Sequence, residues 1–156
     1  MTYQITLPCH KVATVRNTDI DVQLERQQLN FRYIGLHNVA VDGHYELCQI
    51  PLDAGLSAVM LGDGFQMLSQ CRGTAEQIEE VGRCPDNNSS YRIYPQDAPK
   101  RFYNTLVIEE ADSFVLFGFT SCHRFAGYFE IQDSEQGRVV TAFIDGESTY
   151  SRLGEQ

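Results

Sequence analysis

Apolar and polar residues alternate with a period of two along much of this chain. Ile20, Val22 and Leu24 are spaced by polar positions, and Leu29, Phe31 and Tyr33, then Tyr45, Leu47 and Gln49, repeat the pattern. Successive side chains of an extended strand point to opposite faces, so this alternation predicts strands with one face on a core and one toward water. Later segments are denser in apolar residues: Phe102–Ile108, Phe114–Phe119 and Val139–Ile144. The run Phe114–Phe119 predicts a strand covered on both faces. It is followed by the polar stretch Thr120–Arg124 and an outgoing strand Gly127–Ile131, which together predict a hairpin whose turn holds its side chains out to solvent. About ten strand candidates of this spacing predict an all-β fold, an antiparallel β-sandwich with at most one short helix.

Turn signals separate these strands at Val41–His44, Leu61–Gly64, Gln136–Gly137 and Asp145–Gly146. Their Asp-Gly dipeptides are expected to supply the positive φ values of tight hairpins. One segment departs from the β pattern. Thr74–Glu80 reads as one or two helical turns, with Thr74 as N-cap and Gln77 completing a capping box. A long polar loop, residues 82–90, follows it, and loops of that length in compact domains usually serve a function.

Composition narrows the functional classes. A chain of 156 residues is expected to form a single domain, residues 1–156, with a sizeable core. The net charge of −9 and the absence of a basic stripe speak against nucleic-acid binding. The N-terminal residues lack the n- and h-regions of a signal peptide, and no apolar run reaches membrane-spanning length, so a cytoplasmic location without membrane association is expected. Five scattered cysteines, Cys9, Cys48, Cys71, Cys84 and Cys122, are an odd count and predict free thiols rather than a disulfide framework. In that compartment the Asn87 and Asn88 sequons go unused.

Three polar loops carry the candidate chemistry: Gly62–Gln66, Arg83–Asp86 and Ser121–Arg124. Cys122 and His123 are neighbours on an extended chain and so point apart, which argues against a thiolate–imidazole pair and for a small Cys beside a surface His. No Cys-x-x-Cys pair is present, so no metal site is expected, and no cofactor. Gly62-Asp63-Gly64 lacks the Gly-Lys-Ser/Thr ending of a phosphate loop. Glu79-Glu80 and Glu109-Glu110 are adjacent pairs rather than carboxylates opposed across a sugar, so no catalytic residue is assigned. Tyr91, Tyr94, Phe102 and Tyr103 flank Pro95 and Pro99. Such rings either stack on sugars or cover the edge of a sandwich.

Two segments, Leu61-Gly-Asp-Gly-Phe-Gln-Met-Leu-Ser69 and Phe117-Gly-Phe-Thr-Ser-Cys-His-Arg-Phe-Ala-Gly127, resemble signatures near the N-terminus of glycoside hydrolase family 36, the α-galactosidases of melibiase type. Phe143-Ile-Asp-Gly-Glu147 resembles the strand and turn that follow them in that family. The resemblance covers mainly residues 60 to 147. One departure is Leu68, where the family often has Trp, which removes a ring able to stack on sugar. The resemblance implies an N-terminal β-sandwich that precedes a catalytic (β/α) barrel, and 156 residues cannot contain that barrel. It implies as partners the barrel of a longer parent chain, a homo-oligomer, and an α-galactoside-type sugar near the loops.

The leading expectation is therefore a non-catalytic N-terminal domain of an α-galactosidase-like hydrolase, shaping the substrate entrance and subunit contacts. Its rim or interface residues would be Asp63, Phe65, Gln66, Arg83, Asp86, His123 and Arg124, gathered at one end or edge of the sandwich. The alternative is a free-standing carbohydrate- or ligand-binding β-sandwich, and a small Cys-dependent enzyme stands third.

Overall fold

In the computed structural model the alternating segments are all strands. The structure describes residues 2–41, 44–66, 68–86, 95, 97–135, 137–146 and 152–154. In chain order the strands are β1 (Tyr3–Thr6), β2 (Val12–Val15), β3 (Ile20–Glu25), β4 (Gln28–Tyr33), β5 (Val39–Ala40), β6 (Tyr45–Pro51), β7 (Met60–Asp63), β8 (Ser69–Gly73), β9 (Ile78–Gly82), β10 (Phe102–Glu110), β11 (Ser113–Gly118), β12 (Ala126–Ser134), β13 (Gly137–Asp145) and β14 (Arg152–Leu153). All pairings are antiparallel. The main sheet runs β1-β2-β6-β13-β12-β10-β7-β8-β9, with β11 attached to β10.

This sheet is two wings joined at a corner. β12 pairs with β10 only through Phe102↔Phe129 and Tyr103↔Tyr128, then diverges to run the full length of β13. The wings also close on each other. Lys11, just before β2, meets Glu110 at the end of β10 at 2.6 Å. Four strand spacings of about 4.8 Å would hold these residues some 19 Å apart on a flat sheet. The inward face carries one contiguous core, including Ala13, Val15, Ile50, Met60, Phe102, Leu106, Phe129, Val140 and Ala142. The β3–β4 hairpin packs against it through Ile20, Val22, Leu29 and Phe31. The result is an all-β, sandwich-like fold.

Several local expectations are corrected. Thr74–Glu80 is not helical. Residues 74–77 are the loop between β8 and β9, closed by Thr74 N–H donating to the Gln77 carbonyl at 2.9 Å, and Ile78–Gly82 is strand β9. The Thr74 hydroxyl does accept from Gln77 N–H at 3.3 Å, but that i to i+3 bond serves a turn as well as a helix cap. Four residues between strands are too few to sustain a helix.

β11 is not covered on both faces. Among the described residues it is an edge strand with β10 as its single ladder partner, and Phe114 and Leu116 are 68% and 67% exposed. Nor does it form a hairpin with the strand that follows. β11 and β12 lie one after the other along the same edge of β10, at 105–110 and 102–103, so residues 119–125 are an excursion between two collinear pairings.

Gly62 and Asp63 belong to β7, and the turn falls after them. Among the described residues the positive-φ glycines are Gly73, Gly82, Gly137 and Gly154; of these, only Gly137 sits at an expected turn. Asp42-Gly43 lies outside the described residues, as do Tyr91, Tyr94 and the Asn87 and Asn88 sequons.

Candidate functional site

The outer face of the corner between the wings carries a second, smaller cluster of aromatic residues, Tyr103, Tyr128 and Phe143, with Ala126 beside them. Tyr128 and Phe143 stack at 5.3 Å, and Phe65 meets Tyr103 edge-on at 5.2 Å. Polar groups are buried with the rings. The Arg101 guanidinium lies 4.5 Å over the Tyr128 ring and donates to the Tyr103 hydroxyl at 3.3 Å. It also approaches Asp145 at 3.8 Å and Glu130 at 3.9 Å. Glu130 is 1% exposed, contacts His44 Nε2 at 2.8 Å and accepts from Gln132 at 3.2 Å. Burial pushes the Tyr128 phenol well above its usual range, against the opposing pull of Arg101, so Tyr128 stays neutral.

Above this floor lies a pocket of about 320 Å³. Its walls are Phe65 from the β7–β8 turn, Tyr103 and Asn104 from β10, Cys122–Phe125 from the excursion, Ala126 at the start of β12, and Asp145-Gly146 at the end of β13. Asn104 has φ of 64°, at the irregularity where the β7–β10 register shifts between Tyr103 and Leu106. A bulge of this kind re-aims side chains, and Asn tolerates the left-handed region better than most residues. The Asn104 amide oxygen accepts from Cys122 Sγ at 3.3 Å, which ties the excursion to β10. Arg124 donates to the Arg152 carbonyl at 2.9 Å. Gly127 lies directly under the Phe119 ring, where a Cβ would be only 2.5 Å from it.

The residues singled out in the sequence have distinct placements. Phe65, His123 and Arg124 line this pocket. Asp86 stands behind it: it is buried, and its carboxylate accepts the Phe65 N–H at 3.1 Å and the Ser69 hydroxyl at 3.0 Å. Asp63 is half-buried and accepts from the Thr105 hydroxyl. Gln66 and Arg83 are exposed and line neither this pocket nor the larger groove described below. The loops at 62–66 and 83–86 thus meet through Asp86, and the excursion joins them through the pocket. Sequence reasoning passed over Asn104, Arg101 and Glu130, and met His44 only as part of a turn and as one of several histidines. Asp145 was quoted there as part of a turn, with no signal that it would reach the same wall.

A larger groove of about 1050 Å³ lies on the other side of the excursion. Leu29, Phe31 and Tyr33 of β4 form one bank, and Val115 and Phe117 of β11 with Phe119 form the other. His123 and Arg124 stand between groove and pocket and line both.

The smaller pocket offers aromatic faces, a guanidinium, a carboxylate and a carboxamide within one concavity. Such a set suits a small polyhydroxylated ligand, with rings against its apolar face and the planar fork of Arg124 on its hydroxyls. Asp145 is the single carboxylate among the described residues lining it, so no opposed pair is available for glycoside hydrolysis. Among the described residues no group of three or more His, Cys, Asp or Glu side chains is placed to hold a metal ion, and no helix is long and apolar enough to cross a membrane. All five cysteines are free.

Proposed function

Comparison of the chain with protein-family models, with curated proteins and with solved structures found no match. We propose that the chain is the non-catalytic N-terminal β-domain of an α-galactosidase-like glycoside hydrolase, and that its pocket end forms part of the substrate entrance of the parent enzyme's barrel. One observation carries this reading. The three segments on which the family resemblance rests lie far apart in the chain, yet Phe65 of the first, Cys122–Ala126 of the second and Asp145-Gly146 of the third line the same pocket. The second and third meet as neighbouring strands, Ala126 of β12 lying opposite Asp145 of β13, and Phe65 reaches the same concavity from the first. In this reading Arg124 and Asp145 bind sugar hydroxyls, Phe65 and Tyr103 cover an apolar sugar face, and the barrel supplies the catalytic carboxylates.

The test is made in the full reading frame. If a (β/α) barrel with paired aspartates follows, Arg124→Ala should raise KM for an aryl α-galactoside several-fold and leave kcat within about twofold, because binding rather than chemistry is removed. The isolated chain should turn over no α-galactoside. A frame with no barrel downstream, or an unchanged KM, removes this reading. The about 1050 Å³ groove favours a second one, a free-standing ligand-binding β-sandwich. Titration of the chain with galactosides, followed by amide chemical shifts of Asn104 and the 119–125 excursion, separates a sugar module from a chain that binds none.

A further inference from the structure

The outer face beside β11 exposes apolar side chains in two cross-strand rows. Leu61 of β7 lies opposite Val107 of β10, and Val107 lies opposite Leu116 of β11. In the next row Glu109 N–H donates to the Val59 carbonyl at 2.9 Å, and Glu109 lies opposite Phe114. Val59 and Leu61 are each 52% exposed, and Phe114 and Leu116 still more so. β11 itself, Ser113-Phe-Val-Leu-Phe-Gly118, carries no charge and no proline. Edge strands are normally blunted by such residues, so a bare apolar edge is a template for pairing.

The direction of its free hydrogen-bonding groups can be read. Phe119 N–H donates to the Asn104 carbonyl at 2.9 Å, and amides alternate along a strand. Val115 and Phe117 therefore face β10, while the N–H and C=O of Phe114, Leu116 and Gly118 face the open edge.

We propose that this edge pairs with β11 of a second copy of the chain, as a twofold antiparallel dimer with Val115 at the dyad. That register sets Leu116 opposite Phe114 of the partner subunit, and Phe114 opposite the partner's Leu116, so each outward-pointing pair exchanges two backbone hydrogen bonds. It is self-complementary, as a closed twofold interface requires. It joins the exposed apolar side chains of Val59, Leu61, Phe114 and Leu116 of each copy into one surface. It also brings the β10–β11 turn, with exposed Asp112, beside the partner's excursion, where exposed Arg124 stands, and does so twice. The proposal is independent of the sugar-entrance reading.

The test uses the whole chain at physiological salt, where a screening length of about 8 Å limits repulsion between copies of net charge −9. Sedimentation equilibrium should give the mass of two chains at about 100 µM. Leu116→Pro removes an edge amide without touching the β10 ladder and should give a folded monomer. Leu61→Lys alters the same face two strands from the edge and should leave the dimer in place. In a Cys9→Ser, Cys122→Ser background, Val115→Cys should cross-link in air. Its dyad-related Cα atoms would lie about 4.5 Å apart in a non-hydrogen-bonded pair, within disulfide range. A monomer at that concentration overturns the proposal. So does a Leu116→Pro dimer, equal loss of association in Leu61→Lys, or capture by Val115→Cys of a different protein in preference to itself.

Discussion

Asp86 is the side chain whose removal should cost most at the pocket end. It is 4% exposed and accepts from the Phe65 N–H and the Ser69 hydroxyl, with Lys100 Nζ at 3.6 Å. Lys100 also pairs with Glu80 at 2.6 Å, so Asp86→Ala does not strand the ammonium. It does strand a buried hydroxyl and an amide. Two charge-assisted bonds at about 1.5–3 kcal/mol each give a loss of about 3–6 kcal/mol. Asp86→Asn keeps an acceptor for the Phe65 N–H and can donate to the Ser69 oxygen, so about 1–2 kcal/mol is expected. For a domain of this size each kcal/mol moves Tm by about 2–4 °C, which puts the alanine variant roughly 10 °C lower. Glu79→Ala is the control: its pair with Arg72 is exposed on both sides, and its loss should stay below about 1 kcal/mol. Urea unfolding followed by circular dichroism measures all three. If Asp86→Ala falls within the range of the Glu79→Ala control, the latch between the two loops is not what holds Phe65 in place.

Three further outcomes are expected. Gly127→Ala drives a Cβ into the Phe119 ring and should cost about 1–3 kcal/mol, with amide shifts concentrated in the 119–125 excursion; a silent substitution there would contradict the close packing. In the native protein at about pH 8, exposed Cys9 and Cys122 should react with a thiol reagent while Cys48 and Cys71 stay protected, burial pushing those two thiols up to about 12 and about 11; four fast thiols would refute it. The same two groups set an alkaline limit. Above the ordinary thiol value of 9.0 the unfolded chain loses protons that the folded chain keeps, so stability should fall as pH climbs from there through about 11 and 12, by about 1.4 kcal/mol for each tenfold displacement of the acid constant; a stability flat from pH 8 to 10 would count against the burial.

The strands were legible where the signal is local. The alternation at Ile20–Leu24 and Leu29–Tyr33 gave both halves of the β3–β4 hairpin, because one strand faces the core through every second residue and the partner is the next stretch of chain. Phe114–Phe119 misled for a reason of the same kind. An apolar run states that side chains avoid water, but not whether the cover comes from this chain. The capping-box pattern at Thr74 did form its hydroxyl bond to the Gln77 N–H, and the sequence held no sign that Gly73, at φ 136°, would turn the chain into a hairpin loop instead.

The candidate site was legible in its parts and hidden in its assembly. Polar residues beside glycine marked the loops at Gly62–Gln66 and Ser121–Arg124, since backbone freedom and solvation leave a local trace. Which of these residues would meet depends on β10, which pairs with β7 along one edge and with β11 and β12 in series along the other. No spacing in the sequence encodes that a single central strand carries both edges, or that a left-handed Asn104 interrupts it where the two collinear pairings part. The division of labour follows from the same geometry. Asp86 was read as a group for a ligand, yet a carboxylate 4% exposed with two donors of its own chain is spent on holding Phe65. Arg124 is exposed, on the wall that separates pocket from groove, and its guanidinium donates to the Arg152 carbonyl. A ligand or a neighbouring domain arriving at this end therefore meets Phe65, Asn104, Arg124 and Asp145 first. Substitutions at those four positions should report on binding, while those at Asp86, Gly127 and Arg101 should report on folding.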